Sequence, residues 1–424
     1  MKKTTRLLST VLERATDGPI KLRFVAPDGT VLGDPGANTT IRFRNDDAVA
    51  HLVRSPGELG FGRAYVSGSL DIEGSIWDVV AMKQRLRPLS EQPLILAELA
   101  PIAGPLLLHR PPIPPEENQH HPLRPHTKRA DAADIRHHYD VGNDFHRLFL
   151  GESMTYSCAV FGSETTSLDD AQCAKHELVC SKLGLQAGMR LLDIGCGWGS
   201  MVMHAATVHG VEAVGITLSE QQAALARERV AAAGLESTID IRILDYRDLG
   251  DETFDAISSI GMLEHVGRAN LPEYFTTVRD RLRPGGRVLN HQIARTALGS
   301  KPGRSPRTKV HSRGFVHRYV FPNGELHEVG DLIGTMQRFG LEARHMESLR
   351  EHYAMTLRHW VENLEGSWDE AVELVGEGRA RVWHLYMAAS SHMFSSGELQ
   401  IHQVLATHSA EDGTSSMPLR PTWS

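Results

Sequence analysis

The sequence predicts an α/β protein: a doubly wound, mostly parallel sheet covered by helices on both faces, preceded by a small α/β accessory domain. Three observations predict it. From Met189 onward, apolar runs alternate with helical patterns; the first run ends in a glycine-rich corner, "IGCGWG"; and eight prolines crowd residues 101–125, ahead of this alternation. At 424 residues the chain has length for two domains and a sizeable core. A hydrophobic content of 41% and a charged content of 23% are those of ordinary globular proteins. The net charge of −7 argues against a general nucleic-acid binder, which is normally basic.

The N-terminus, "MKKTTRLLSTVLERATDG", places Leu7, Leu8, Val11 and Leu12 at helical spacing. It reads as a helix packed on its own domain, with contact to an anionic membrane as the alternative. It lacks the apolar stretch of a secretory signal, and no run is long and apolar enough for a transmembrane helix. "IKLRFVAPDGTVLG" alternates about a turn at Asp28-Gly29, a hairpin signal, and "TTIRFR" alternates again. "LGFGRAYVSGSLDIEG" is glycine-rich with polar–apolar alternation. Residues 93–108 are apolar and read as buried. Proline lacks an N–H and clashes with the preceding helical turn, so residues 101–130 read as a semi-rigid extended linker. The expected division is 1–100, 101–130 and 131–424. His120, His121 and His126 follow from linker composition, having no ligand partners at suitable spacing. Cys158, Cys173, Cys180 and Cys196 are too few and too irregular for a disulfide framework or a zinc site, so no metal is expected and a reducing cytoplasm is.

In the second half, "MRLLDI", "VEAVGITLS", "TIDIRILDY", "FDAISSIGM" and "PGGRVLNHQI" read as strands. "GSMVMHAATVHG", "EQQAALARERVAAAG" and "LPEYFTTVRDRL" read as the helices between them. "LLDIGCGWGS" runs a strand into Gly195, Gly197 and Gly199 at the mouth of a helix. Glycines there let backbone approach a nucleotide-type ligand at the strand's carboxyl end. The dinucleotide pattern G-x-G-x-x-G is broken by Ser200, and Thr217-Leu218-Ser219 supplies no acid for an NAD ribose, which disfavours a nicotinamide oxidoreductase. Asp193 before the loop and Asp245-Tyr246 after the third strand complete a cofactor pattern. "SSIGMLEHVG" ends a buried strand with Glu264 and His265. Alone, Glu264 reads as a solvated loop carboxylate.

With these residues in place, the sequence resembles the class I S-adenosylmethionine-dependent methyltransferases, and within them the cyclopropane-fatty-acid and mycolic-acid cyclopropane synthase family. The blocks "HHYDVGNDFHRLFL", "MTYSCAVF", "LLDIGCGWG", "GITLSEQQ", "SSIGMLEHVG", "VLNHQI", "FPNGEL" and "HYAMTLRHW" carry the likeness over nearly the whole chain. "GELGFGRAYVSGSLDIEG" resembles the accessory domain of the phospholipid-acting members. "YVFPNGEL", "YMAASSHMF" and "MPLRPTWS" resemble the actinobacterial enzymes that methylate oleoyl phospholipid toward tuberculostearic acid.

The resemblance implies methyl transfer from S-adenosylmethionine to a cis double bond, then deprotonation by bound bicarbonate, giving a 10-methylene chain or, as the alternative, a cyclopropane. It implies that Cys158, Glu264, His291, the main chain of Ile293, and Tyr353 hold the bicarbonate. A carboxylate beside an anion calls for a raised Glu264 pKa. For the cofactor it implies Tyr156, Ser157, Gly195, Gly197, Thr217, Ser219, Gln222, Tyr246 and Ile260, with Asp193 and Asp245. Trp198 reads as loop packing. Ser390 stands where many relatives have a cysteine, which puts a covalent thiol mechanism in doubt. Tyr353, Trp360, Trp383 and Tyr386 read equally as acyl-tunnel lining or as helix packing. The expected partners are unsaturated phospholipid at the inner membrane face, met peripherally, and a second copy in a dimer. The sequence holds no second nucleotide fingerprint, so reduction of a methylene product calls for a separate flavin or NADPH reductase.

Overall fold

The computed structural model describes residues 2–14, 18–85, 93–118, 126–128, 130–131, 141–296 and 314–423. The block "HHYDVGNDFHRLFL" is therefore described only from Val141. Two compact units form: Met1–His120 with His311–Pro322 and Ser367–His392, and the remainder of the chain.

The first unit holds a four-stranded sheet of order β2-β1-β3-β4: β1 (Arg23–Val25), β2 (Val31–Gly33), β3 (Thr40–Phe43) and β4 (Leu70–Glu73). β1 and β2 form the expected hairpin, Arg23 opposite Gly33, with Gly29 at φ +84° in the turn and Asp28 accepting the Thr30 N–H. "ELGFGRAYV" is not a strand. It is the helix Glu58–Val66, and its glycines serve close packing. A Cβ on Gly60 would lie 2.5 Å from the His51 carbonyl oxygen, and one on Gly62 would lie 2.1 Å from the Phe315 ring.

The apolar segment is also helical, over Pro93–Leu108, through Pro101 and Pro105. Extended chain begins only at His109. An internal proline costs a helix about 3 kcal/mol. Here the helix packs against Lys3–Arg14 and Asp46–Arg54 with Leu99 and Leu106 buried, so tertiary burial opposes that cost. The N-terminal helix Lys3–Arg14 buries Thr4, Thr5, Leu7 and Leu8. Two buried charges tie the late segments to this unit. Arg381 pairs with Asp71 (2.6 Å) and donates to the carbonyls of Tyr65 and Leu70. Glu117 accepts from Arg63 (2.6 Å) and from the Tyr319 hydroxyl (3.1 Å).

The second unit is built on a seven-stranded sheet of order β10-β11-β9-β8-β5-β6-β7. Its strands are β5 (Arg190–Ile194), β6 (Glu212–Thr217), β7 (Ile239–Ile243), β8 (Phe254–Ile260), β9 (Leu282–Arg295), β10 (Glu342–Ser348) and β11 (Leu399–Thr407). β5 to β9 are parallel. β11 runs antiparallel to β9, and β10 antiparallel to β11. The helices Ser200–His209, Glu220–Ala232 and Leu271–Arg281 fall where the sequence places them. Strand order reverses between β5 and β8, and such a reversal opens a crevice at the strands' carboxyl ends.

Candidate active site

That crevice is lined by residues from four strand ends and from the irregular segment 154–157. Asp193 and the glycine loop close β5. Thr217 closes β6, Asp245-Tyr246 follows β7, and Ile260 closes β8. Gly195 (φ +82°) and Gly197 (φ +55°) hold left-handed backbone, and a Cβ on Gly197 would point into open space. The Gly195 and Cys196 N–H groups donate to the Ile216 carbonyl (2.9 and 3.0 Å), which fixes the loop to β6. Tyr156 stacks on Trp360 at 5.2 Å. Tyr246 is buried, and its hydroxyl meets no partner among the described residues.

Of the expected cofactor residues, Tyr156, Ser157, Asp193, Gly195, Gly197, Thr217, Gln222, Asp245, Tyr246 and Ile260 line the crevice. Ser219 does not; it caps the helix Glu220–Ala232 by accepting the Gln222 N–H. Trp198 is packed as expected, its indole N–H on Asn143 Oδ1 at 2.8 Å, and it also touches the crevice. Asp245 spends both oxygens on Arg247 (2.8 and 2.6 Å).

Among the crevice residues that were not expected is a buried lysine. Lys175, 1% exposed, donates to Ser157 Oγ (3.2 Å) from the helix Leu168–Leu183. Burial pushes its ammonium down to about 7 and the nearby Asp193 carboxyl up to about 6, each opposed by the other's charge. The signal lay in the sequence. Lys175 and Lys182 sit on the stripe Leu168, Gln172, Val179, Leu183 that the helix buries.

The five residues expected around the anion form a second cluster, outside the crevice lining. Glu264 sits in a short turn, Leu263–His265, and its Oε1 accepts the Ile293 N–H at 2.7 Å. Oε2 is buried with no partner among the described residues. Burial raises this carboxyl to about 7, with the Ile293 bond pulling the other way. His126, read from sequence as linker composition, instead braces this corner: its Nδ1 donates to the His265 carbonyl (3.1 Å).

His291 is 1% exposed on β9. Gln403 on β11, its cross-strand partner, donates Nε2–H to His291 Nδ1 at 3.3 Å. Lys182 Nζ donates to Gln403 Oε1 (2.7 Å), which fixes the amide's orientation. Nδ1 is therefore the acceptor, and the imidazole proton sits on Nε2. That Nε2–H is buried with no partner among the described residues, and burial holds the ring neutral. Cys158 and Tyr353 meet at one carbonyl, Leu349 O, which the Cys158 thiol approaches at 3.7 Å and the Tyr353 N–H at 3.1 Å. Leu349 N–H bonds the Ile401 carbonyl, and Ile401 pairs with Ile293, so all five share one end of β9 and β11. Burial pushes the Cys158 thiol well up, so it is no thiolate at neutral pH. Ser390 is buried in the first unit.

A parallel sheet with this reversal, a glycine corner and an acid-edged cleft with aromatic walls defines the class I S-adenosylmethionine-dependent methyltransferases. The family described as mycolic acid cyclopropane synthetase matches residues 126–404. A probable fatty acid methyltransferase of Mycobacterium tuberculosis is 42% identical over 96% of this chain and 95% of its own. The tuberculostearic acid methyltransferase UfaA1 of the same organism is 35% identical over 92% and 89%. The cyclopropane-fatty-acyl-phospholipid synthase of Escherichia coli is 33% identical over 89% and 90%. The crystal structure of the mycolic acid cyclopropane synthase CmaA1 complexed with SAH and CTAB superposes with a TM-score of 0.60, at 32% identity, over 67% of this chain and 99% of that one. The chain belongs to the mycolic acid cyclopropane synthetase family and is an S-adenosylmethionine-dependent methyltransferase.

Proposed function

We propose that this enzyme methylates the cis double bond of an unsaturated phospholipid acyl chain and then removes a proton to leave a 10-methylene branch. The observation that carries the second half is that Glu264 Oε2 and His291 Nε2–H are buried with no partner among the described residues, while the His291 carbonyl accepts the N–H of Gly261, a crevice residue, at 2.8 Å. Buried polar atoms without partners cost free energy, and they persist where a ligand completes them.

The crevice fits S-adenosylmethionine. Gly197 leaves open space, Tyr246 offers a hydroxyl unspent among the described residues, and the Asp193 carboxyl lines the cleft. When bound, S-adenosylmethionine supplies an electrophilic methyl on a positively charged sulfur. This chain's part is to hold methyl and alkene in line and exclude water, an orientation effect of about 7–11 kcal/mol.

The second cluster fits bicarbonate at two points. His291 donates Nε2–H, and Glu264, raised to about 7, shares a proton with an anion instead of repelling it. Ile293 enters as the anchor of Glu264, its N–H already committed there. Cys158 and Tyr353 wall the site. Glu264 and His291 would hold bicarbonate there, and it would supply the base for the proton lost from the methylated acyl chain.

The lipid substrate rests on the relatives, a fatty acid methyltransferase, a tuberculostearic acid methyltransferase and a cyclopropane-fatty-acyl-phospholipid synthase. The methylene outcome rests on the tuberculostearate likeness. Ring closure is the second reading, supported by the cyclopropane synthases among the relatives. The N-terminal domain is assigned to engaging the lipid surface. The test is incubation of the enzyme with oleoyl-phospholipid vesicles and S-adenosylmethionine, followed by NMR of the product. Exocyclic methylene protons support the reading, cyclopropane protons favour the second, and no methylated lipid overturns both.

A further inference from the structure

The four cysteines read along the sequence gave no metal-ligand spacing, but the fold supplies in space what spacing does not. The helices Leu168–Leu183 and Ser200–His209 pack against each other. Their contact gathers Cys180 Sγ and one ring nitrogen each of His204 and His209, all within 4.8 Å of one another. Glu177, one turn before Cys180, lays its Oε2 between the two rings, 3.2 Å from His204 Nε2 and 3.0 Å from His209 Nε2.

We propose that Glu177, Cys180, His204 and His209 bind one zinc-class divalent cation. Zinc takes four N, S or O ligands tetrahedrally at about 2.0–2.3 Å, which puts neighbouring ligand atoms roughly 3.3–3.8 Å apart. Cys180 Sγ and the two ring nitrogens stand within 4.8 Å of one another and Glu177 Oε2 within 3.2 Å of both rings, and all four side chains come from two packed helices, so rotamer adjustments that draw the thiol and the carboxylate together close the shell. The donor set is diagnostic. A thiolate with two imidazoles selects a borderline-soft metal over magnesium or calcium.

Charge balances as well. Binding releases the Cys180 thiol proton to solvent, and the thiolate and the Glu177 carboxylate together neutralise the dication. Cys180 is fully buried at the base of the group, whereas the Glu177 side chain is 38% exposed and opens it to solvent. In the metal-free chain both imidazoles crowd one carboxylate oxygen; with metal, those hydrogen bonds are exchanged for coordinate bonds.

The site's position gives it a structural role. One helix carries Gln172 and Lys175, which hold segment 155–157 at the crevice, and the other begins where the glycine loop ends. A cation clamping them braces both walls of the cofactor site without touching it.

The full-length enzyme, prepared without a polyhistidine tag, is loaded with one equivalent of zinc chloride or cobalt chloride and desalted. About one metal per chain is expected to remain. The cobalt form should show a sulfur-to-metal charge-transfer band, and the zinc form should unfold at a higher temperature than the chelated form. Cys180→Ser should abolish the band and cut retained metal about tenfold. His209→Ala, at a partly exposed helix end, should cut it similarly, so the test stands if the cysteine variant does not fold. Retained zinc below about a tenth of an equivalent, a cobalt spectrum without the thiolate band, or metal content unchanged in both variants overturns the site.

Discussion

Replacing Glu264 with glutamine should stabilise the enzyme at alkaline pH while removing its turnover. Burial raises the Glu264 carboxyl to about 7 from an ordinary 4.5, even though the Ile293 N–H bond favours the charged form. The folded chain thus holds this proton more tightly than the unfolded chain. Its contribution to stability is full below about pH 4.5 and is lost as pH rises through about 7. Above that, a buried ionised carboxylate costs up to about 3 kcal/mol, at 1.36 kcal/mol per pKa unit. Glutamine keeps an Oε1 acceptor for Ile293 and cannot ionise. The variant should match wild type near about pH 5 and exceed it by roughly 2–3 kcal/mol near about pH 8.5. Turnover should fall about 10²–10⁴-fold, with cofactor affinity retained. Scanning calorimetry at the two pH values, a lipid methylation assay and titration calorimetry with S-adenosylmethionine make the measurement. A stability difference that does not change with pH would refute burial as the cause of the shift. Undiminished turnover would refute the catalytic role.

Three further outcomes are expected. Gln403→Leu takes the donor from His291 Nδ1 and an acceptor from Lys182; turnover should drop about 10-fold or more and stability by about 1–3 kcal/mol, with cofactor affinity kept, and unchanged turnover would remove Gln403 from the positioning chain. Gly197→Val sets a β-branched residue at φ +55°, a strain of about 1–2 kcal/mol, with its side chain in the crevice; titration calorimetry should show at least about tenfold weaker cofactor binding while circular dichroism stays native. If the proposed bicarbonate site is right, turnover should fall in bicarbonate-depleted buffer and return on adding bicarbonate but not an equal ionic strength of chloride.

The strands, helices and glycine corner of the second unit were legible because each is written locally. Alternation, 3.6-residue periodicity and glycine at left-handed backbone act within a few residues, and Gly195, Gly197, Thr217 and Tyr246 therefore fell where the crevice formed. Periodicity reports that a face is buried but not what it is buried against. The helix Pro93–Leu108 read as partly extended because its two prolines act locally, whereas the packing that opposes them comes from helices far away in sequence. Lys175 and Lys182 sit on the stripe their helix buries, but the groups they are buried against, Asp193, Ser157, Gln403 and Glu347, come from other elements. The proton on His291 Nε2 depends on Gln403, 112 residues on, and on Lys182, which turns that amide. Glu264 needs an N–H offered across the sheet corner by Ile293, and Cys180 meets His204 and His209 only because two helices pack. Tertiary structure decided these because a hydrogen bond or a coordination shell needs atoms within a few ångströms, and chain separation sets no such distance.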